Sequence, residues 1–339
     1  MKLDFYMPAA PIDEAGPLAR WAADVGFDGF FTAEIKHDPF LPLAVGAAHE
    51  NRLEYGTGIA VAFPRSPMTT AYLAWDLAAL TGGRFLLGLG TQVKAHIVRR
   101  FSGEWVSPGP RLAEYVAALR AIWASWQNGE PLKFEGDHYS FSLMTPFFDP
   151  GPIENPAIPI YIAAVGAWMS RMAGEVCDGL HVHPFHTIRY LDGSVLPELS
   201  AGAARAGKSA NDVVAAASVF VVTGRNEKEL EESKLRVRSQ IAFYASTPTY
   251  RSVLEMHGWD FGDRLSAMSR TGQWAAMADL ISDEVLNEVA VVAPLDELGA
   301  AVAARYRGRL GRLAFYAGEP SWTADQWGTL LENTRRALS

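Results

Sequence analysis

The chain has one cysteine, Cys177, among its 339 residues. No disulfide can close within it, and a reducing, cytoplasmic setting is expected. No apolar run approaches the ~18 residues that a membrane-spanning helix needs. The opening MKLDFYMPAA sets Asp4 where a secretory leader requires apolar residues, so no leader and no membrane association are expected. A basic stripe is also missing, and the formal net charge of -8 speaks against a nucleic-acid binder. An anionic small molecule remains compatible with that charge, because helix N-termini and a few local cations suffice to hold one. Repeats, low-complexity tracts and a convincing linker are absent too. One domain over 1–339 is the expectation.

What is present is ordinary for a globular chain: 49% hydrophobic and 20% charged residues. The length suits one (β/α)8 barrel with insertions or two smaller domains. Residues 53–92 run as strand, Gly/Pro-rich loop, helix, tight Thr-Gly-Gly turn and a second strand with almost no polar residues. That is the pattern of parallel strands buried on both faces. Eight such strands can be read, at Leu3–Met7, Gly29–Thr32, Glu54–Val61, Arg84–Leu89, Ile158–Ala163, Gly179–Val182, Ala215–Val222 and Arg312–Tyr316. Helical stretches separate them, at Pro11–Val25, Met68–Leu80, Arg111–Trp126, Ala167–Val176, Gly193–Ala206, Glu227–Ala245 and Leu295–Tyr306. The alternation predicts an α/β fold, a (β/α)8 TIM barrel, with insertions at about 131–155 and 247–288.

Reacting groups in such a barrel sit on the loops that leave the C-terminal strand ends. There the chain offers Glu34, His37 and Asp38 after strand two, Phe63 to Arg65 after strand three, and Thr91 and Gln92 after strand four. Strand five is followed by Val165 and Gly166, and His181, His183, Phe185 and His186 cluster around the end of strand six. His181 and His183 are two apart and share one side of a strand, which could make half a metal site. The other strand ends supply Thr91, Ala164 and Ala317, none of them a ligand, so no metal is expected and a pocket-lining or core role is favoured. His37 and Asp38 read equally as a solvated turn before Pro39. Glu34 is harder to dismiss, since a carboxylate directly after an apolar strand needs a partner. Gly88 and Gly90 lack the third glycine of a dinucleotide loop and read as packing glycines. Leu119, Ile122, Trp123 and Trp126 form a core-facing helical stripe.

The segments GFDGFFTAE (26–34), TGIAVAFPRSPMTTA (57–71), GGRFLLGLGTQ (82–92) and IPIYIAAVGAWMSRMAGEVCDGL (158–180) together resemble the luciferase-like flavin and deazaflavin oxidoreductases. Their order and spacing resemble the branch that uses the 8-hydroxy-5-deazaflavin coenzyme F-420. That resemblance implies a non-proline cis peptide at Gly58–Ile59, leading into Ala60, behind the tricyclic ring. It implies contacts from Glu34 to the ring's head group, from Thr91, Gln92 and His96 along the ribityl chain and ring edge, and from Ala164, Val165, Gly166 and Ala167 to the phosphate. Two departures stand out: Ile35 where several relatives carry histidine, and Val93 where a sugar-phosphate dehydrogenase carries glutamate. His37 is then the nearest candidate for acid/base work beside Glu34, with His181, His183 and Phe185 lining a substrate pocket. The implied activity is hydride transfer to or from a small organic substrate. An FMN-dependent monooxygenase and a deazaflavin-binding protein without turnover are the alternatives, and a homodimer is the implied assembly. Trp105, Phe147, Phe148, Phe185 and Trp259 suggest an apolar or aromatic ligand, or loops that pack on one another.

Overall fold

The apolar runs fold as eight parallel strands that close into a (β/α)8 TIM barrel in a computed structural model, which describes residues 1–316 and 322–339. In chain order the strands are β1 (Lys2–Tyr6), β2 (Gly29–Thr32), β3 (Glu54–Thr57), β4 (Phe85–Gly90), β5 (Ile160–Ala164), β6 (Gly179–Val182), β7 (Val214–Val222) and β8 (Arg312–Tyr316). Each pairs with its sequence neighbours, and β8 pairs with β1, as Leu3 opposite Leu313. The expected third strand is interrupted. β3 pairs through Gly56 with Leu86, the Gly58–Ile59 peptide is cis, and the chain resumes pairing as Ala60–Val61 beside Leu89 and Gly90.

Helices cover the outside: α1 (Ala15–Val25), α2 (Leu41–His49), α3 (Pro67–Thr81), α4 (Pro108–Asn128), α5 (Ala167–Val176), α6 (Leu196–Arg205), α7 (Glu227–Ala245), α8 (Leu295–Tyr306) and α9 (Ala324–Leu338). The start of α3 shows why it forms there. The Ser66 hydroxyl accepts from the Met68 N–H at 3.3 Å, Pro67 occupies the first turn, and Gly82 ends the helix at φ +61°. The tryptophan stripe of α4 is buried as its spacing predicts, with Trp123 and Trp126 against the core. The first insertion contains a small antiparallel hairpin, Phe134–Glu135 with Ser140–Phe141. The second holds short helices at Arg251–His257, Gly262–Arg270 and Asp283–Val289. No helix among the described residues is long and apolar enough to cross a membrane.

Inside the barrel the two ends differ. At the N-terminal end Arg312 donates from Nε and Nη2 to the two oxygens of Asp4, at 2.8 and 2.6 Å, and also bonds Glu54. Its guanidinium lies 5.1 Å from the Phe31 ring centre. Phe31, Leu86, Tyr161 and Ala216, with Tyr6 stacked on Phe31, fill the next level. Nearer the C-terminal rim, β3 to β5 contribute Gly58, Gly88, Gly90 and Ala163, and the bulk on that side is backbone. A Cβ on Gly88 would run into the Thr57 carbonyl, so only glycine lets β4 approach β3 that closely.

Candidate functional site

The loop after β2 folds back onto β3. Thr32 donates from its hydroxyl to the Pro39 carbonyl at 2.5 Å, and the Glu34 N–H donates to the Ile59 carbonyl at 3.0 Å. Glu34 thus sits directly beside the cis peptide. Its Oε2 accepts from the Val61 N–H at 2.7 Å and from Arg65 Nη1 at 2.7 Å. Arg65 completes a network by donating to the Val61 carbonyl at 3.1 Å and to Asp38 Oδ2 at 2.9 Å. The Glu34 side chain is only 7% exposed, and the partner its burial demands is Arg65. Its Oε1 has no protein partner among the described residues, so one carboxylate oxygen is used for the fold while the other remains open as an acceptor.

Ile59 packs its side chain against Gly90, where an added Cβ would meet Ile59 Cδ1 at 2.7 Å. The rim on β3 and β4 is therefore a low surface of Gly58 and Ile59, with Gly90 buried beneath the Ile59 side chain. Thr91 and Gln92 follow β4. Gln92 adopts φ +61°, an uncommon conformation for a residue with a side chain, and its Oε1 accepts from the Val93 N–H at 3.0 Å. His96 lies exposed on the short helix Lys94–Arg99, and Arg100 just beyond it donates to the Ile35 carbonyl at 2.9 Å, tying the loops after β2 and β4 together. After β5 the chain turns at Gly166, φ +88°, into α5, whose first turn holds Ala167 and leaves its opening N–H groups without intrahelical acceptors.

His37 is exposed and does not join Glu34. It borders a cavity of about 30 Å³ shared with Met7, Pro8, Ala33 and Ile35. His181 points into the barrel with its ring edge-on to Phe31 and tilted on Tyr161, centroids 6.2 and 5.4 Å apart. Burial, helped by the Arg312 charge, pushes its pKa down to about 3. The imidazole is a neutral core group. Phe185 is 1% exposed and packs edge-on to Tyr250, more wall support than open lining. Ala317 lies outside the described residues.

His183 stands one step higher, at the rim. Its Nδ1 accepts from the Phe185 N–H at 3.1 Å and its Nε2 is 3.0 Å from the Tyr250 hydroxyl. The ring stacks on Tyr250 at 4.2 Å and meets the edge of Tyr244 at 4.6 Å. Tyr244 in turn bonds Tyr316, hydroxyl to hydroxyl, at 2.9 Å. Burial, with a smaller contribution from His186, lowers the His183 pKa to about 3. His186 donates from Nδ1 to the His183 carbonyl at 2.8 Å and faces the Tyr306 hydroxyl at 3.2 Å, a brace between β6 and α8. Asp38 and Arg65 stand among the strand-end residues read from the sequence, whereas Tyr244, Tyr250 and Tyr316 are the residues here that it does not single out. Tyr316 ends an inward-facing strand register, which is a signal, whereas Tyr250 comes from an insertion and has none.

Comparison with known proteins places this geometry in context. The family model described as luciferase-like monooxygenase matches residues 4–312. An uncharacterised protein of Mycobacterium tuberculosis (strain ATCC 25618 / H37Rv) is 47% identical, covering 92% of each chain. The 5,10-methylenetetrahydromethanopterin reductase of Methanolobus tindarius is 27% identical, covering 88% of each. Among solved structures, the coenzyme F-420 dependent tetrahydromethanopterin reductase from Methanopyrus kandleri superposes with a TM-score of 0.81 at 18% identity, covering 100% of this chain and 99% of that one.

Proposed function

The chain belongs to the luciferase-like monooxygenase family, and from that premise we propose that it is an oxidoreductase that binds coenzyme F-420 at the C-terminal rim and moves a hydride to or from a small organic substrate. The observation that carries the reading is the pairing of a low strand-end surface with a half-satisfied carboxylate. Ile59, lying close over Gly90, offers a low apolar face, and Glu34, anchored by Val61 and Arg65, keeps one acceptor oxygen free at its edge. That free acceptor fits a planar heterocycle that carries N–H or O–H groups. A Mycobacterium tuberculosis relative, 28% identical and covering 86% of this chain, bears the name putative coenzyme F-420-dependent oxidoreductase, which supports the same coenzyme class.

In this reading Ile59 supports one face of the ring and Glu34 orients its polar edge. Thr91, Gln92 and His96 border the side chain, and the α5 N-terminus, entered through Ala164, Val165 and Gly166, receives the phosphate. A bound deazaflavin supplies two-electron hydride exchange and no oxygen chemistry. The protein's own part is to hold the ring, exclude water above Ile59 and manage one proton. His37, exposed at the rim, can exchange that proton with solvent; His181 and His183 are held neutral by burial and do not supply it.

An anaerobic assay of reduced F-420 with a panel of carbonyl compounds tests the proposal. The expected result is substrate-dependent recovery of the oxidised deazaflavin absorbance. A protein that is yellow as purified, bleaches with reductant and regains its colour in air is the FMN monooxygenase instead. Retained deazaflavin binding with no oxidation by any acceptor would favour a carrier.

A further inference from the structure

The rim carries a second wall that faces β3–β5 from across the barrel. His183 follows β6, Phe220 and Tyr316 are register partners at the ends of β7 and β8, and Tyr244 and Tyr250 close over them from α7 and the segment after it. The ring contacts are continuous: Tyr250 on His183, Tyr244 against His183 and Tyr250, Phe220 against Tyr316. These contacts run between aromatic and imidazole rings, which contrasts with the Arg65 ion-pair network on the other side.

The hydrogen bonds within the wall have a direction. A backbone N–H can only donate, so Phe185 fixes Nδ1 of His183 as an acceptor. A neutral imidazole then carries its proton on Nε2, and Nε2 donates to the Tyr250 oxygen. Tyr250 accepts there and still owns a hydroxyl hydrogen, for which no protein acceptor exists among the described residues. Tyr244 differs, because its hydroxyl is already matched to Tyr316. Burial raises the Tyr250 phenol to about 12, so it stays protonated across the physiological range. A partly buried donor without an acceptor is uncommon in folded proteins and marks a place where a ligand atom completes the bond.

We propose that Tyr250 is the hydrogen-bond donor for the oxygen of a neutral carbonyl substrate with an apolar or aromatic skeleton, and that His183 is a positioning residue that keeps the Tyr250 hydroxyl pointed at it. The skeleton would lie against Phe220, Tyr244 and Tyr316. His183 is held neutral and the Tyr244 and Tyr250 phenols protonated by burial, so these groups offer an anionic substrate no countercharge. The inference rests on the oxidoreductase reading of the rim, since it takes the space between the two walls to be where substrate meets the coenzyme.

The test uses benzaldehyde labelled with carbon-13 at its carbonyl, added to the protein with oxidised F-420 present, and reads the carbonyl chemical shift and the probe affinity. A downfield-shifted bound carbonyl is expected. Tyr250→Phe should abolish that shift and weaken binding roughly five- to tenfold. His183→Ala should reduce the shift, and His183→Gln, which retains a side-chain N–H donor, should restore most of it, a rescue that a merely structural role would not produce. Benzoate should not compete. Thermal melting of each variant confirms a folded protein, and a parallel F-420 titration separates the two levels: unchanged coenzyme binding with an unchanged carbonyl shift in Tyr250→Phe overturns this inference alone, whereas absence of F-420 binding in the parent protein overturns the oxidoreductase reading. Absence of any bound carbonyl signal in a parent protein that does bind F-420 also overturns the inference.

Discussion

Arg65 joins Glu34 and Asp38 with one guanidinium, its Nη1 2.7 Å from Glu34 Oε2 and its Nη2 2.9 Å from Asp38 Oδ2. The bond fixes the loop after β2 against the broken end of β3, so the carboxylate at the rim has one set position. Removing Arg65 leaves a nearly buried charge without its partner. Arg65→Ala should cost about 2–3 kcal/mol in urea unfolding. Glu34→Gln should preserve more of the stability while weakening F-420 roughly tenfold, about 1.4 kcal/mol. Equal affinity for F-420 in Glu34→Gln would remove Glu34 from the binding surface.

The Asp4–Arg312 pair at the opposite end belongs to the fold and not to the rim. Both side chains are 5% exposed and make two parallel hydrogen bonds. Asp4→Asn leaves the buried guanidinium with Glu54 as its one remaining carboxylate and should destabilise by about 2–3 kcal/mol, with no direct loss of ligand affinity in the protein that remains folded. A loss of affinity without a loss of stability would contradict this division of labour.

Three histidines give stability a pH dependence of definite sign. Burial is the main cause that lowers His181 to about 3, His183 to about 3 and His186 to about 4. Unfolded, each ionises near 6.5, so the unfolded chain binds protons that the native one refuses. Stability is therefore whole above about pH 7 and falls as pH drops below about 6.5. Between pH 7 and 5 each histidine should withdraw about 2 kcal/mol, measurable as a falling urea midpoint. His186→Gln should remove one share of that decline, and a midpoint independent of pH would refute the assignment.

Cys177 is fully buried, and burial lifts its thiol to about 12. An aromatic disulfide reagent should find no thiol in the native protein and one per chain in guanidinium. Rapid native labelling would show that the end of α5 opens readily.

The barrel was legible because its strands are short apolar runs with glycine or polar ends; seven of the eight lie within a residue or two of their expected place, and the third ends at Thr57 where Val61 was expected. The helix α2 was not, since LPLAVGAAH is apolar all round and lacks both a periodic stripe and a capping side chain. α9 carried a usable sign, the Thr323–Gln326 capping box, which the helix periodicity alone does not reveal. At the rim, Glu34 was legible as a carboxylate in want of a partner, but Arg65 as that partner depends on how the chain folds back after Val61. His37 shows the reverse. Its position after β2 predicts closeness to Glu34, yet in the turn that Asp38 caps, by accepting from the Phe40 N–H at 2.8 Å, the imidazole is exposed and makes no hydrogen bond to Glu34. Tyr250 was out of reach because side chains from insertions meet the rim only through tertiary packing.

The central claim is that a deazaflavin lies over Ile59 with its edge at Glu34. Titrating the purified protein with F-420 and following the coenzyme's fluorescence tests it most directly. Saturable binding of one molecule per chain, undiminished by excess FMN, is the predicted result. Absence of saturable F-420 binding, together with tight uptake of FMN, would contradict it.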